Sequence, residues 1–144
     1  MTPPVARLVA HGSPEYDALV DLRRRVLRLP IGLDFSPEEL AAERDQLHIG
    51  VFADGVVAAC ATLVPGEGTG KVRQVAVEPH HQGHGLGTFV MEWAETKARG
   101  LGLGTIAVHA RGAAVPFYER LGYRTEGAEF TEVGLPHRRM TKAL

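Results

Sequence analysis

The sequence predicts a mixed α/β fold, an α+β arrangement in which helices pack on one mixed sheet. Hairpin signals dominate the first half of the chain, where apolar runs of strand length flank an Asp54-Gly55 turn. A βαβ pattern follows, because a strand, an amphipathic helix and a second strand succeed one another between Lys71 and Ala110. The predicted element order is β-α-α-β-β-β-α-β-α-β-β. With 144 residues, 44% of them hydrophobic, the chain suits a single domain over residues 1–144.

The first three elements are predicted to be a strand, Val5–His11, and two helices. Ser13-Pro14 is typical of an N-cap followed by proline at the first helical position, and apolar residues at helical spacing extend that helix to about Arg28. The basic run Arg23–Arg25 lies on this helix and is interpreted as a solvated face. Ser36–Glu39 has the pattern of a capping box and predicts a short second helix.

The remaining elements follow from apolar runs and from glycines that punctuate them. Strands are expected at Leu47–Ala53, Val56–Val64, Lys71–Val77, Thr105–Ala110, Tyr123–Thr131 and His137–Thr141. An apolar stripe that begins at Leu86 predicts a long helix ending near Gly100. A shorter helix is expected at Ala113–Leu121, and Gly134-Leu135-Pro136 is expected to join the last two strands.

A glycine-rich loop between a strand and a helix, Val75–Gly87, is the most informative segment. Such a loop directs backbone N–H groups towards one point, and the positive end of the helix dipole adds to it, so the loop predicts a cradle for a phosphate or pyrophosphate. Two common nucleotide motifs fit poorly. The dinucleotide fingerprint needs glycine where Thr88 stands. Gly66–Lys71 is one residue short of a nucleotide P-loop and joins two strands.

Two further kinds of chemistry are considered and set aside. His80, His81 and His84 match no common zinc-ligand spacing and lie where phosphates would bind, so no metal is expected. Cys60 is the single cysteine and lies in an apolar run, which indicates a buried, inert thiol.

Composition excludes several classes of partner. The formal net charge is −1, which provides no basic field for nucleic acid or for an anionic membrane surface. No apolar stretch approaches the 18 residues or so of a membrane span. The first residues, Met1–Pro4, lack the basic and apolar regions of a signal peptide, so a cytoplasmic location is expected.

Two strings together resemble the GNAT superfamily of acyl-CoA N-acyltransferases. Gln82-x-x-Gly85-x-Gly87 is similar to the loop that binds the acyl-CoA pyrophosphate in that family. Phe117–Tyr123, which reads FYERLGY, resembles the family's second signature about thirty residues downstream. The C-terminal string from Phe130 to Met140 and the triplet His109–Arg111 resemble the ElaA-like branch. The resemblance covers nearly the whole chain.

The resemblance implies that acetyl-CoA is the co-substrate and that its pantetheine pairs with a strand that splays from its parallel neighbour. By position that strand is Val75, Ala76 and Val77, whose main chain would also face the thioester oxygen. The implied pyrophosphate contacts are Gln82, Gly83, His84, Gly85, Leu86, Gly87 and Thr88. Arg111 stands where many relatives carry a cofactor-contacting asparagine and is counted among the expected cofactor residues.

The resemblance also implies direct transfer in a ternary complex, with Tyr118 as the general acid for the departing thiolate. Many relatives place a carboxylate base on the strand equivalent to Lys71–Val77, but this strand carries none. The base must therefore lie elsewhere, or solvent takes its place. Glu132 and His137 are the preferred candidates for the base, with Glu78 as a weaker one. Tyr118, Glu132 and His137 are therefore the expected catalytic residues.

The function expected is N-acetyl transfer from acetyl-CoA to a primary amine of a small molecule or peptide, and a homodimer is considered as the assembly. Arg23, Arg25 and Arg73 would suit an amine that carries a carboxylate. The alternative, from a different class, is a non-catalytic acyl-CoA sensor or interaction module on the same fold. Retention of the cofactor without turnover would distinguish that module from an enzyme.

Overall fold

The computed structural model describes residues 3–144, and these form a seven-stranded mixed sheet. Met1 and Thr2, part of the stretch expected not to be a signal peptide, lie outside the described residues. The strands are β1 Val5–Val9, β2 Leu47–Ala53, β3 Val56–Pro65, β4 Thr69–Val77, β5 Thr105–Arg111, β6 Arg124–Glu132 and β7 Leu135–Ala143. Their order in the sheet is β1-β2-β3-β4-β5-β7-β6. The α-helices are α1 Pro14–Arg23, α2 Pro37–Ala42, α3 Leu86–Gly100 and α4 Val115–Arg120. The predicted fold class and element order are confirmed.

Neighbouring strands run antiparallel except for β4 and β5, which are parallel and are joined across α3. The predicted Asp54-Gly55 turn is confirmed, with φ angles of 52° and 79° at its two residues. The last two strands are joined by Val133 and Gly134, at φ 47° and 77°. The expected three-residue connection is therefore wrong. A two-residue turn of this kind needs positive φ at both positions. Proline cannot adopt a positive φ, and Pro136 lies in β7 instead of in the turn.

The first helix is shorter than predicted, since α1 ends at Arg23 and a π-helical turn, residues 24–28, replaces its last turn. The N–H of Leu29 donates to the carbonyl of Arg24, five residues earlier. Pro30 comes next and has no N–H with which to continue the helical ladder.

The interpretation of Arg23–Arg25 as a solvated face is wrong for Arg23, which is 1% exposed. Its guanidinium donates to the Glu43 carboxylate at 2.5 and 3.0 Å, and the Tyr16 hydroxyl donates to the same carboxylate. Burial raises the pKa of Glu43, but hydrogen bonds from Arg23 and Tyr16 outweigh it and hold that pKa below its ordinary value. Glu43 is therefore charged, and this ion pair anchors α1 to the end of α2.

Helices cover both faces of the sheet, so the core has two parts. The larger part lies between α3 and strands β2 to β5, and Val90, Met91 and Ala94 of α3 are fully buried in it. The smaller part lies under α1, where Leu19 and Leu22 pack near β3. The apolar stripe predicted for α3 is thus confirmed as its buried face. Among the helices of residues 3–144, none is long and apolar enough to cross a membrane.

Strands β4 and β5 separate in the middle of the sheet. Within the described chain their ladder covers only Thr69–Val72 of β4. Beyond it, Gln74 takes φ 58°, and a bulge places Gln74 and Val75 opposite one residue of β3. The β5-facing edge of Arg73–Val77 therefore has no strand partner among residues 3–144. The splayed pair implied by the sequence resemblance is present.

Candidate active site

A cavity of about 260 Å³ opens where β4 and β5 separate. Its walls come from residues 71–75 of β4, 109–111 of β5, the β6–β7 hairpin, the π-helical turn and Tyr118 of α4. Five elements that are distant in sequence thus meet at the split in the sheet. Of the expected site residues, the split brings Val75, Arg111, Tyr118, Glu132 and His137 to one cavity.

The glycine-rich loop lies at the N-terminus of α3, and its residues 82–88 are not part of the cavity wall. The side-chain amide of Gln82 donates to the carbonyl of Val77 at 3.2 Å, which ties the loop to the end of β4. Gly83 and Gly85 take φ 84° and 80°, with open space where a Cβ would stand. Glycine is needed at both because an L side chain rarely adopts this conformation.

The other expected loop residues differ in their surroundings. His84 is exposed, Thr88 is half-buried, and Leu86 is buried in the core at the start of α3. A Cβ on Gly87 would lie 3.2 Å from the ring of Phe117, so this glycine lets the first turn of α3 pack against α4. Gly87 thereby links the two sequence signatures, a packing role that the sequence motif alone did not reveal.

The open edge of β4 connects the loop to the cavity. Val75 lines the cavity, and Val77 lies at the loop end beside Gln82. Ala76 is buried and pairs with Cys60 on β3. The unpartnered main chain of this segment therefore runs from the N-terminus of α3 to the cavity.

Tyr118 is 7% exposed and lies at the inner end of the cavity. Its ring packs edge-on against Phe117 and Tyr123, with ring centroids 5.0 and 5.6 Å away. Burial raises the pKa of Tyr118 to about 12, so its phenol carries a proton at neutral pH. A positioned phenol in this state can donate a proton, as the sequence resemblance implied for Tyr118.

Glu132 lies at the cavity mouth between two histidines. Nδ1 of His109 is 3.0 Å from Oε1 of Glu132, and Nε2 of His137 is 3.8 Å from Oε2. Burial raises the pKa of Glu132, but the hydrogen bond from His109 and the nearby positive charges outweigh it and leave that pKa lowered. Glu132 is therefore a carboxylate at neutral pH.

The tautomers of both histidines follow from their partners. A carboxylate accepts hydrogen bonds only, so Nδ1 of His109 donates and its Nε2 is left as the acceptor when the ring is neutral. Nδ1 of His137 faces the Leu135 carbonyl at 2.9 Å, so it also donates. His109 was named in the sequence only as part of a family-like triplet. Its contact with Glu132, 23 residues away in sequence, is a feature of the candidate site that no local motif signals.

Arg111 lines the cavity wall, and its Nη2 donates to the Leu27 carbonyl of the π-helical turn at 2.6 Å. Burial, followed by the neighbouring charge of Arg28, lowers the pKa of Arg111. The side chain is thus tied to the π-helical turn, and its expected contact with the cofactor stays a prediction.

Two other residues considered in the sequence analysis, Glu78 and Cys60, have hydrogen-bond partners of their own. Glu78 accepts two hydrogen bonds from the Arg25 guanidinium, at 2.8 and 3.0 Å, and these lower the pKa of Glu78. Cys60 is buried, burial raises the pKa of its thiol to about 12, and its Sγ lies 3.5 Å from the Gln74 carbonyl. No cluster of three or more His, Cys, Asp or Glu side chains in the described part of the chain is arranged to hold a metal.

Comparison with known proteins identifies the family. A family model described as an acetyltransferase (GNAT) domain matches residues 34–144. The amino-acid acetyltransferase of Pseudomonas paraeruginosa is 33% identical over 120 residues, which are 82% of this chain and 27% of that protein. This chain therefore spans about a quarter of that relative.

Two solved structures share the whole fold. An acyl-CoA N-acyltransferase from Pseudomonas aeruginosa superposes with a TM-score of 0.83 at 24% identity, over 98% of this chain and 100% of that one. Escherichia coli ElaA superposes with a TM-score of 0.79 at 20% identity, over 97% of this chain and 99% of that one. At these identities the likeness concerns the fold. The match over residues 34–144 goes further, and the chain belongs to the GNAT family of acyl-CoA-dependent acetyltransferases.

Proposed function

We propose that this chain moves an acetyl group from acetyl-CoA directly to a primary amine of a small molecule or peptide. The observation that carries the proposal is the open edge of β4, Arg73–Val77, which joins a phosphate-type loop at one end to a cavity at the other. That cavity holds a protonated phenol, Tyr118, and a carboxylate with two histidines. These are the groups that transfer to an amine requires.

Acetyl-CoA would supply the activated acetyl thioester, and the residues of the loop fit its phosphates. Gly83 and Gly85 leave open space where side chains would otherwise stand, at the positive end of the 15-residue helix α3. Val75, Ala76 and Val77 offer main-chain groups to a pantetheine arm that lies along β4 like an added strand. A main-chain N–H of this segment would also stabilise negative charge on the thioester oxygen.

The acceptor must lose a proton before it attacks. An alkylamine with a pKa of about 10.4 is neutral in fewer than about one molecule in a thousand at pH 7, a free-energy cost of about 4.6 kcal/mol. Glu132, His109 and His137 form the base cluster that would offset part of this cost. Within this cluster, the Glu132 carboxylate accepts a hydrogen bond from Nδ1–H of His109. Nε2 of His109 is then the nitrogen that would accept the proton of the amine.

The bond changes are simple. A C–N bond forms between the amine and the acetyl carbon, the nitrogen gives its remaining excess proton to the base cluster, and the C–S bond breaks. The thiolate takes its proton from Tyr118, and the phenolate regains one from solvent. The phenol is suited to this role because it stays protonated at neutral pH and lies buried in the wall of the cavity that Val75 also lines. No acyl-enzyme is needed, and Cys60 is unsuited to form one because its thiol is buried.

The name of the Pseudomonas relative supports an amine acceptor of low molecular mass, since an amino acid is such an amine. The cavity of about 260 Å³ is also sized for a small acceptor or for one residue of a peptide. A homodimer and a cytoplasmic location are compatible with this proposal, and neither is needed for the chemistry.

Amine-dependent thiol release from acetyl-CoA tests the proposal. The protein is incubated with acetyl-CoA and a panel of primary amines, and each mixture is also analysed for the acetylated amine. We expect thiol and product in equal amounts with at least one class of amine. Tight retention of acetyl-CoA with no thiol release from any amine would favour the alternative, a non-catalytic acyl-CoA sensor.

A further inference from the structure

The cavity wall carries far more positive than negative charge. Four basic side chains line it, Arg28, Lys71, Arg73 and Arg111, whereas Glu132 is its one carboxylate. Such an excess is unexpected for a site that must accept an amine, because a protonated amine is itself positive. The excess therefore indicates a second, anionic part of the occupant.

Three of the four basic groups form no ion pair with a described residue, although the charge of Glu132 acts on Lys71 and Arg111 from a longer distance. Arg28 is 3.1 Å from Glu39 and is thus neutralised outside the cavity. No carboxylate of residues 3–144 forms an ion pair with Lys71, Arg73 or Arg111. We call these three side chains the cationic wall.

The cationic wall combines two half-buried cations, Lys71 and Arg111, with the exposed Arg73. Burial and the charge of Arg73 lower the pKa of Lys71, which means that the surroundings disfavour its positive charge. Arg111 is held in place by one hydrogen bond to the Leu27 carbonyl. Partly buried cations gain most from a bound anion that replaces lost water.

Neither the protein nor the expected phosphate site supplies that anion. Arg23 and Arg25, which the sequence offered as partners for a carboxylate, are paired with Glu43 and with Glu78. The loop expected to hold the cofactor phosphates, residues 82–88, does not line the cavity. An acceptor that carries an anionic group would supply it.

We infer that the acceptor is an amine that also carries a carboxylate, with the carboxylate bound by the cationic wall and the amine placed near Glu132 and His109. This inference rests on the proposed acetyl transfer and adds the class of acceptor. Arg111 contributes its guanidinium edge, a group suited to hold both oxygens of a carboxylate.

Matched amines of equal length test the inference. The probes are ω-amino acids with two to five methylenes, compared with the alkylamine and the ω-aminocarboxamide of the same length. We expect kcat/KM to be at least about tenfold higher for the best ω-amino acid than for either neutral partner, as charge-assisted hydrogen bonds predict. If kcat/KM is equal for the ω-amino acid, the alkylamine and the ω-aminocarboxamide at every length, the inference is overturned while acetyl transfer is established.

Variants of the cationic wall test the assignment. The preference for the carboxylate is the ratio of kcat/KM for the ω-amino acid to kcat/KM for the alkylamine. It should fall about tenfold in at least one of the variants Arg111→Gln and Arg73→Gln. Arg111→Lys should recover part of it, because the charge is kept. Arg124→Gln is the control, since Arg124 is exposed on β6 and does not line the cavity. An unchanged preference in both glutamine variants, with folding confirmed by melting temperature, would overturn the assignment.

A binding measurement separates this inference from the proposed function. With CoA in place of acetyl-CoA no transfer occurs, so calorimetry reports binding of the same probes alone. One outcome is that the ω-amino acid binds, the alkylamine does not, and neither is acetylated when acetyl-CoA is supplied. That outcome would refute acetyl transfer to these amines and keep the anion site. Equal weak binding of all three probes by an active enzyme would refute the anion site and keep the transfer.

Discussion

Nδ1 of His109 and Oε1 of Glu132 lie 3.0 Å apart at the mouth of the cavity, although β5 and β6 are not neighbours in the sheet. Strand β7 lies between them and contributes His137, whose Nε2 is 3.8 Å from Oε2 of the same carboxylate. The ring of Phe130 packs edge-on against His109, with the ring centroids 4.9 Å apart. The carboxylate can therefore hold a neutral imidazole in the tautomer that accepts a proton on Nε2.

Glu132→Gln and His109→Gln should both lower kcat, and Glu129→Gln, an exposed carboxylate change on the same strand, should not. A general base typically contributes about 10²- to 10⁴-fold to the rate. We expect the loss of the histidine to remove most of that factor and the loss of the carboxylate to remove less. Steady-state rates across about pH 6 to 9 measure both effects.

The pH profile distinguishes which group accepts the proton. The pKa of Glu132 is lowered, so a carboxylate base would leave kcat/KM flat at neutral pH and lower it only in acid. If an imidazole is the base, His109→Gln or His137→Asn should flatten or move the acidic limb of the kcat/KM profile. A higher KM at unchanged kcat in all three variants would assign the cluster to acceptor binding instead.

Tyr118→Phe keeps the ring and its packing but removes the acidic proton, so kcat should fall about 10²- to 10⁴-fold at nearly constant affinity for acetyl-CoA. Since burial raises the pKa of Tyr118 to about 12, wild-type kcat should not decline through loss of this proton below about pH 10. Rates and equilibrium binding are measured on the same preparations.

Tyr123→Phe is the matched control for that change, because Tyr123 is also buried but donates to Glu95 at 2.8 Å instead of lining the cavity. It should lower the melting temperature and leave kcat near the wild-type value. Full turnover by Tyr118→Phe would assign the acid to another group.

Gly85→Val should weaken acetyl-CoA binding, since Gly85 takes φ 80° at the N-terminus of α3 and valine strongly disfavours that conformation. Gly102→Val is a closely matched control: Gly102 also has φ 80° and open space around its Cβ position, just past the C-terminus of α3. Both variants should lose about 1–2 kcal/mol of stability. Only Gly85→Val should raise the Kd for acetyl-CoA, and equal Kd values would show that the loop is a turn without a binding role.

Arg23→Met should destabilise the fold by about 3–5 kcal/mol at neutral pH, because it leaves the buried Glu43 carboxylate without its cation. Arg24→Met removes the neighbouring, exposed partner of Asp34 and should change stability little. The free energy of unfolding in urea measures both. If both variants behave alike, the buried pair does not anchor α1.

The buried pair also predicts a dependence of stability on pH. The folded-state pKa of Glu43 is lowered below its ordinary value of 4.5, so its stabilising contribution is present above pH 4.5 and is lost as pH falls through the folded-state pKa. The wild type should therefore lose stability in acid. The difference in the free energy of unfolding between the wild type and Arg23→Met should become smaller in acid.

Local patterns in the sequence were sufficient to predict the element order, the capping box at Ser36 and the loop before α3. These depend on periodicity and on residues close in sequence. The burial of Arg23 was not predictable, because its partner Glu43 is 20 residues away and on another helix. The π-helical turn and the bulge at Gln74 likewise depend on how neighbouring elements pack.

The candidate site also has one part that local sequence patterns predict and one part that they do not. Tyr118 and the glycines of the loop belong to contiguous strings that a sequence displays directly. The contact between His109 and Glu132 depends on the registers of both strands with β7, which pair Ala110 with Arg138 and Phe130 with His137. The cationic wall gathers Lys71, Arg73 and Arg111 from two strands that have just separated. Neither arrangement leaves a local pattern in the sequence.

Following the acetyl group through a single turnover tests the central claim most directly. Enzyme in excess is mixed with acetyl-CoA labelled with ¹³C in the acetyl group and with the amines described above, and the label is located by mass spectrometry. The account predicts that the label leaves CoA and appears on the nitrogen of an amine, with no labelled protein at any time, and that Tyr118→Phe slows this step. Label that accumulates on the protein, or that stays on CoA with every amine, would contradict direct transfer at this cavity.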